Sequence, residues 1–533
     1  MLIIALLALP AAQGCTFTGN AKRFAEPRPI PIRYGYRTTP KLIGEPRPTR
    51  ALLPDRVAHH PWLSDSAGSN MHVDGRATDR TPLAGPVGIE PEVASRALGV
   101  LGGQCASANF DRHGHILAVC VNFTRPRLLM IDPESLAVLA RLDLPKRIAR
   151  SPFSIRKIVS DTSGGAYFVI DREDRVVLAT SENDILRITH EDVDGRPVFR
   201  IVDRFDARAA VAAASVDADD RITAVIPDWD GRLWFVTRHG VIGTVTPETG
   251  QIRTISLGHE EIQNSFAVAR DGVYVVSDHA LYRLMADHDG RPDVLWRTRY
   301  DRGVRHKPGM IGQGSGTTPT LVGDHYVAIA DNADPRMNVL VYDRTAPGSR
   351  LICKVPVFEP GRSATENSLV SYGNSLIVEN NYGYRTFMTM TRGKSSEPGI
   401  WRVDFDPETE QCTVVWKSQE TSPTTVPKLS EANGLLYVYT KNPDHWRLID
   451  AFYLTAIDFH TGETVFKVLT GTGMKFDNNW AAISIGPDGS AWIGTLNGLV
   501  RVRDRITPVR VANERRERRH QRRLDRGGDR TPG

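Results

Sequence analysis

Ten acidic and amide residues sit at the ends of short apolar runs in the second half of the chain: Asp331, Asn332, Glu366, Asn367, Glu379, Asn380, Asn381, Asp477, Asn478 and Asn479. Carboxylate and amide oxygens in such a mixture suit a hard cation, above all calcium, which takes six to eight oxygen ligands. A cation held this way polarises a carbonyl oxygen and activates hydrolysis. Glu366, Glu379, Asp477 and Asn478 are the expected metal ligands. Asn264, Asp331, Asn332, Asn367, Asn380, Asn381 and Asn479 are the expected ligand-binding residues around them. The competing reading is that Asn and Asp here cap strand ends and turn backbones. The adjacent Asp278 and His279 form the candidate catalytic pair, an imidazole beside a carboxylate being a usable general base for water attack. Further histidines, His59, His60 and His72, precede the repeats, the last in SNMHVDGRATD with Asp74 and Asp79. The stretch 312–318, GQGSGTT, is either an anion cradle built from backbone N–H groups or a tight loop that lets two chain segments approach closely. No G-x-S-x-G nucleophile elbow occurs, which disfavours a serine hydrolase.

These residues are far apart in sequence, so an architecture must gather them. Eight segments share one pattern, a short apolar strand, a turn with Asp or Asn and often Gly, then a second apolar strand. Examples are CASANFDRHGHILAVCV, ITAVIPDWDGRLWFVT and VPKLSEANGLLYVYT. Their turn residues are Asp111, Asp161, Asp230, Asp271, Asp324, Asn374, Asn433 and Asp488, a mean period of about 54 residues with uneven steps. Further strands follow in several units, and helical periodicity is nearly absent. Four antiparallel strands per repeat cannot bury both faces alone, so the units must pack face to face around an axis. The expected fold is all-β, a single β-propeller of four-stranded antiparallel blades, eight favoured and seven the alternative. The last unit shows only three strands, so an N-terminal segment is expected to complete it. In such a ring, residues just before the inner strands and just after the second strands share one rim, and the polar residues named above occupy those places.

The flanks read differently. Residues 1–15 are expected to be a signal peptide with a lipobox, MLIIALLALPAAQG running into Cys15, the candidate lipidation site. Residues 16–100 form a Pro/Arg-rich spacer and wrapping segment, 101–504 the propeller and 505–533 an Arg-rich tail. Of the net charge of +5, residues 501–533 carry a surplus of +7, which leaves the body near neutral and argues against nucleic-acid binding. No run of about 18 apolar residues follows residue 14, so the chain is not an integral helical membrane protein. Any membrane contact would be by the lipid anchor. Cys105 with Cys120 and Cys353 with Cys412 are the expected disulfides of an exported chain. The location expected is periplasmic, outer-membrane-anchored or extracellular, and the chain is expected to be a monomer.

Residues 455–467, TAIDFHTGETVFK, resemble the tryptophan-docking repeat of PQQ-dependent dehydrogenases. Ala456, Asp458, Thr461 and Gly462 are in place, and Phe466 stands at the Trp position. Asp404, Thr409 and Trp416 give a weaker echo. The chain is thereby similar to the quinoprotein-like propellers of exported bacterial proteins. The resemblance implies architecture over about residues 100–504. PQQ enzymes commonly stack the quinone on a disulfide of adjacent cysteines, and none are adjacent here, so PQQ is not expected. The acid–amide rim looks like the axial calcium site of propeller lactonases and gluconolactonases, which implies a calcium-dependent lactonase or esterase. Three functions follow: a binding or scaffold propeller for a small-molecule or envelope partner, that calcium-dependent hydrolase, and a PQQ-dependent dehydrogenase-like protein.

Overall fold

The computed structural model describes residues 27–54, 58–99, 103–122, 125–147 and 163–505. Cys15, the signal segment, Asp161 and the Arg-rich tail lie outside them. Eight four-stranded antiparallel blades form a closed propeller; seven are separate sheets, and the seventh blade is widened to six strands by Leu42–Gly44 outside and Arg80–Thr81 inside. Blade 1 runs from Gln104–Phe110 to Val138–Asp143, and blade 2 from Val169–Ile170 to Arg196–Asp206. Blades 3 to 7 begin at Ile222, Ala267, Thr320, Val370 and Lys428, and each ends on an outer strand that feeds the next inner one. Blade 8 takes Ile483–Ile485, Ala491–Thr495 and Gly498–Asp504 from the C-terminal part. Its fourth strand is Pro91–Ala97, paired residue by residue with Gly498–Asp504. The Asp504 carboxylate fixes the entry to that strand by accepting the amides of Val87 (2.7 Å) and Gly88 (3.0 Å).

The hairpins form where the sequence supplies turn chemistry. In blades 1 to 3 the inner strand ends at Asp111, Asp171 and Asp228. Each carboxylate accepts the backbone N–H groups two and four residues on, which closes the turn without a second strand's help. This corrects the reading of blade 2. The turn expected at Asp161 is at 171–175 instead, because the apolar run YFVI is the inner strand and not the second one. Asp171 is therefore on the face opposite the expected rim. A helix, Arg208–Ala214, joins blades 2 and 3 where no helical period is visible. It is an alanine run that needs only Val211 as a buried anchor, since Ala loses almost no side-chain entropy on becoming helical.

Blade-to-blade docking uses the turn 458–462. Trp416 of blade 6 packs on Gly462 of blade 7, where a Cβ would lie 2.5 Å from the indole, and its Nε1 donates to Phe459 O at 2.8 Å. Gly462 has φ +75°, so it serves both the turn and the contact. Phe466 makes the same kind of contact with Gly88, ahead of the closing strand. Disulfides join Cys105 to Cys120 within the first hairpin, and Cys353 to Cys412 between the outer strands of blades 5 and 6. Two disulfides suggest a non-cytoplasmic location. Among the described residues, no helix is long and apolar enough to cross a membrane.

The N-terminal chain first touches the closing strand Pro91–Ala97 through Arg28 and Ile30, then runs outside blade 7, where Leu42–Gly44 pairs with its outer strand. It then enters the axis. Inner strands of a propeller expose one row of backbone N–H groups to the channel, and these need partners if water is excluded. Residues 69–81 supply them. Ser69 O accepts from Ile170 N (2.7 Å), Gly75 O from Val268 N (2.6 Å) and Arg76 O from Leu321 N (2.9 Å). Thr78 O accepts from Ser371 N (3.0 Å), Asp79 O from Leu429 N (3.0 Å) and Thr81 O from Glu431 N (2.9 Å). Between Gly75 and Asp79 the segment steps across one blade about every residue, so the chain plugs its own channel.

Candidate functional site

The plug brings a charged network to the axis. Asp79 and Lys428 are buried side by side, with Lys428 Nζ 2.6 Å from Asp79 Oδ1. His72 Nδ1 lies 3.1 Å from Asp79 Oδ2, the Ser368 hydroxyl donates to the same oxygen, and Thr318 Oγ1 is 3.3 Å from His72 Nε2. Burial pushes the Asp79 carboxyl up, yet Lys428 and His72 together outweigh it and hold it below the ordinary aspartate value. The hydroxyl–imidazole–carboxylate order resembles a catalytic triad, but Thr318, His72 and Asp79 are all buried, the last two on the plug itself. The network acts as a lock between the plug and blades 5, 6 and 7.

Of the expected rim residues, Glu379 lies near this network, within reach of the Asp79 and Lys428 charges; each of the others has partners of its own. Glu366 is buried. Its Oε2 accepts the Ile311 amide at 2.9 Å, while its Oε1 has no protein partner. Burial pushes its pKa up to about 8. Glu379 is likewise raised to about 8 by burial, with Asn367 Nδ2 donating to Oε2 at 2.7 Å and Oε1 unpartnered. Asp477 is raised to about 6 by burial against the opposing pull of Lys441. It accepts from the Tyr384 hydroxyl (3.1 Å) and the Asn479 amide (3.0 Å). Asn478 Nδ2 donates to Gly494 O at 2.9 Å, and its Oδ1 is buried without a partner.

The amides mostly tie blade to blade. Asn264 binds Gly316 O and the Tyr167 hydroxyl (3.0 Å). Asn367 also reaches Thr425 O (2.6 Å), and Asn381 joins Glu366 N (2.8 Å) to Pro423 O (3.1 Å). Asn479 pairs with Gln104 across the seam of blades 8 and 1. Asp331 is spent on Ala333 and Asn338, Asn332 on Arg302 O (3.1 Å), and Asn380 on Arg362 O (2.9 Å). The stretch 312–318 is a close-approach loop: a Cβ on Gly316 would stand 2.4 Å from Thr365 O, and one on Gly314 2.6 Å from Asp278 O.

Asp278 and His279 do sit together, Nδ1 to Oδ1 at 2.8 Å. Asp278 Oδ2 is held by Arg302 at 2.5 Å and Oδ1 by the Glu261 amide at 2.8 Å, so the carboxylate is already neutralised by a guanidinium. Among the described residues, one group brings three His, Cys, Asp or Glu ligand atoms within 4.8 Å of one another. It is Asp111, Asp174 and His190, on the face opposite the rim. Sequence reasoning missed it, because its members belong to two blades and the turn that carries Asp174 was expected at Asp161.

The rim face also carries long second-to-third strand loops in blades 6 and 7. They lean on each other through Asp444 N to Gly393 O (3.2 Å) and Gly393 N to Asp450 Oδ1 (3.0 Å). Trp446 at their tip is 97% exposed, with Met388 and Leu448 also exposed.

No protein-family model matches the chain. An uncharacterized protein of Archaeoglobus fulgidus is 28% identical over 334 residues, 56% of this chain; the chain spans 64% of that relative's length. Among solved structures, a europium-containing methanol dehydrogenase superposes with a TM-score of 0.52 at 11% identity, covering 83% of this chain and 98% of its own. BamB from Moraxella catarrhalis gives 0.34 at 14% identity over 62% and 93% of the two chains. A virginiamycin B lyase from Staphylococcus aureus gives 0.40 at 10% identity over 78% and 99%. At these identities the likeness is one of fold alone, that of a β-propeller.

Proposed function

We propose that this protein is a binding or scaffold propeller of a non-cytoplasmic compartment, engaging a small-molecule or envelope partner through the rim face. The observation that supports this reading is the occupied axis. The chain's own residues 69–81 take the inner-strand N–H groups, and the polar residues above them are consumed pairwise in joining blades. A feature of that face suited to recognition is the loop pair bearing the exposed Trp446. The experiment is photocrosslinking in the native cell from position 446, against a control position on the outer strand of blade 3. A discrete adduct from 446 that is lost in Asp444→Pro, with the fold intact, supports the reading. Equal labelling at both positions overturns it.

A second reading is favoured by one observation, the unpartnered buried oxygens of Glu366, Glu379 and Asn478. They would suit calcium, with the hydrolase chemistry that a polarising cation supplies. One calcium per chain, and EDTA-sensitive turnover of a lactone or ester that Glu366→Gln abolishes, would favour it over the first. The dehydrogenase reading has only the fold on its side. The disulfides are cross-strand and inter-blade, not between neighbouring cysteines.

A further inference from the structure

On the face opposite the rim, the turns 111–115 of blade 1 and 171–175 of blade 2 lie side by side. Each is closed by its leading Asp, whose Oδ1 is used on backbone amides, while Oδ2 meets a side chain, His115 Nδ1 at 2.9 Å from Asp111 and Arg175 Nε at 2.8 Å from Asp171. Asp174 occupies the left-handed turn position, φ 65°, that Gly114 and Gly231 fill in the neighbouring blades. A carboxylate therefore stands where the repeat uses no side chain. His190 reaches this spot from the third strand of blade 2, Asp184–Val193. Its Nε2 lies 3.4 Å from Asp174 Oδ2 and 3.9 Å from Asp111 Oδ2, without a hydrogen bond of ordinary geometry to any group. His115 Nδ1 is 2.9 Å from Asp111 Oδ2. The Asp111 and Asp174 side chains are 0% and 7% exposed, and that of His190 12%. Asp174, His190 and His115 line a cleft of about 400 Å³.

We propose that Asp111, Asp174 and His190, with His115 at the margin, form a binding site for a divalent transition-metal ion of the zinc class, with coordination positions open to the cleft. Bonds of about 2.0–2.2 Å in a tetrahedral shell separate ligand atoms by roughly 3.3–3.6 Å. The separations from His190 Nε2, 3.4 Å to Asp174 Oδ2 and 3.9 Å to Asp111 Oδ2, lie in or close to that range, and all three ligand atoms lie within 4.8 Å of one another. The donor set selects the class. Imidazole nitrogen favours zinc-like ions over calcium and magnesium, and the absence of thiolate among these four residues disfavours soft copper(I). The two buried carboxylates facing the imidazole supply the negative charge that a divalent cation would offset. The competing cation is Arg112, whose Nε sits 3.3 Å from Asp174 Oδ2 on a side chain 57% exposed. It can swing into solvent when a metal ion arrives.

The test titrates chelator-treated full chain with cobalt(II), reading the visible absorption of the bound ion, then displaces it with zinc. One cobalt per chain with the strong bands of four- or five-fold coordination is expected. Asp174→Asn and His190→Gln should each weaken uptake by about 100-fold, with near-ultraviolet circular dichroism reporting the fold. Arg112→Ala should tighten uptake several-fold, whereas a purely structural ion-pair cluster would only lose stability. Glu366→Gln, at the axis, should leave uptake unchanged and so separates this site from an axial calcium site. Absence of stoichiometric cobalt uptake by the natural chain overturns the proposal, as does uptake unaffected by both ligand variants. Should Asp174→Asn fail to fold, the opposite signs expected for Arg112→Ala and His190→Gln still decide.

Discussion

Glu379 gives the sharpest test of what the axis is for. Its carboxyl is buried and raised from 4.5 to about 8, with burial as the main cause. In the unfolded chain it ionises near 4.5. Between those values the folded state holds a proton that the unfolded state has released, so stability falls as pH rises, by about 1.4 kcal/mol per pH unit. Across the window the cumulative loss is at most about 5 kcal/mol, and structural relaxation makes about 3–5 kcal/mol the working figure. Below 4.5 both states are protonated and the full stability is present; above about 8 it has been lost. Glu379→Gln is nearly isosteric with the neutral acid, can keep the bond from Asn367 and cannot ionise. The variant should match the natural chain at pH 5 and exceed it by about 3–5 kcal/mol at pH 8, measured by urea unfolding followed through tryptophan fluorescence. Glu366→Gln should behave alike. The reasoning is refuted if the Gln variant is the less stable at pH 8. That sign would mean the carboxylate is ionised by a bound cation, and added calcium should then widen the gap.

Other expectations follow from single contacts. Lys428→Met removes the partner of a fully buried carboxylate and should cost about 3–5 kcal/mol in chemical denaturation. Cys353→Ser, or reduction of the natural chain, opens a closure of 59 residues between two outer strands and should cost about 2–4 kcal/mol, read as a lowered Tm. Gly462→Val places a β-branched residue at φ +75° against Trp416 and should cost about 2–4 kcal/mol with a shift in tryptophan emission.

The ring was legible because each hairpin announces itself through two apolar runs and a turn residue. The turn misplaced in blade 2 shows the limit. Gly164 and Gly165 imitate a hairpin turn, whereas the true one, DREDR, carries no glycine and relies on Asp171 to cap it. The disulfides followed from cysteine positions on neighbouring strands and repeats. The rim residues were recognisable as polar ends of strands, but which one meets which could not be read. Asn479 finds Gln104 at a separation of 375 residues, and spacing says nothing about such pairs. The plug was hidden for a different reason. Residues 69–81 bind the inner strands through backbone carbonyls, which leave no hydrophobic period, and only His72, Asp74 and Asp79 marked the segment as unusual.

Since the plug and the closing strand Pro91–Ala97 are nearly contiguous, one stretch of chain seals both the axis and the ring, and shortening from the N-terminus should separate two effects. A chain starting at residue 58 loses the strand Leu42–Gly44 along the outside of blade 7 and the buried anchors Ile30 and Leu52, but keeps residues 69–81 in place. It should fold and melt a few degrees lower. A chain starting at residue 84 keeps the closing strand but strips partners from six inner-strand amides and leaves Lys428 without Asp79. An unsatisfied buried polar group costs about 1–3 kcal/mol. Even with water replacing half of the lost partners, the deficit approaches the roughly 5–15 kcal/mol that holds a typical domain together. Loss of the cooperative transition is therefore expected, with protease cleavage spread over all blades and not confined to blade 8. If the chain from residue 84 melts as sharply and as high as the one from 58, the axial segment is a passenger, and the channel is free to serve a ligand after all.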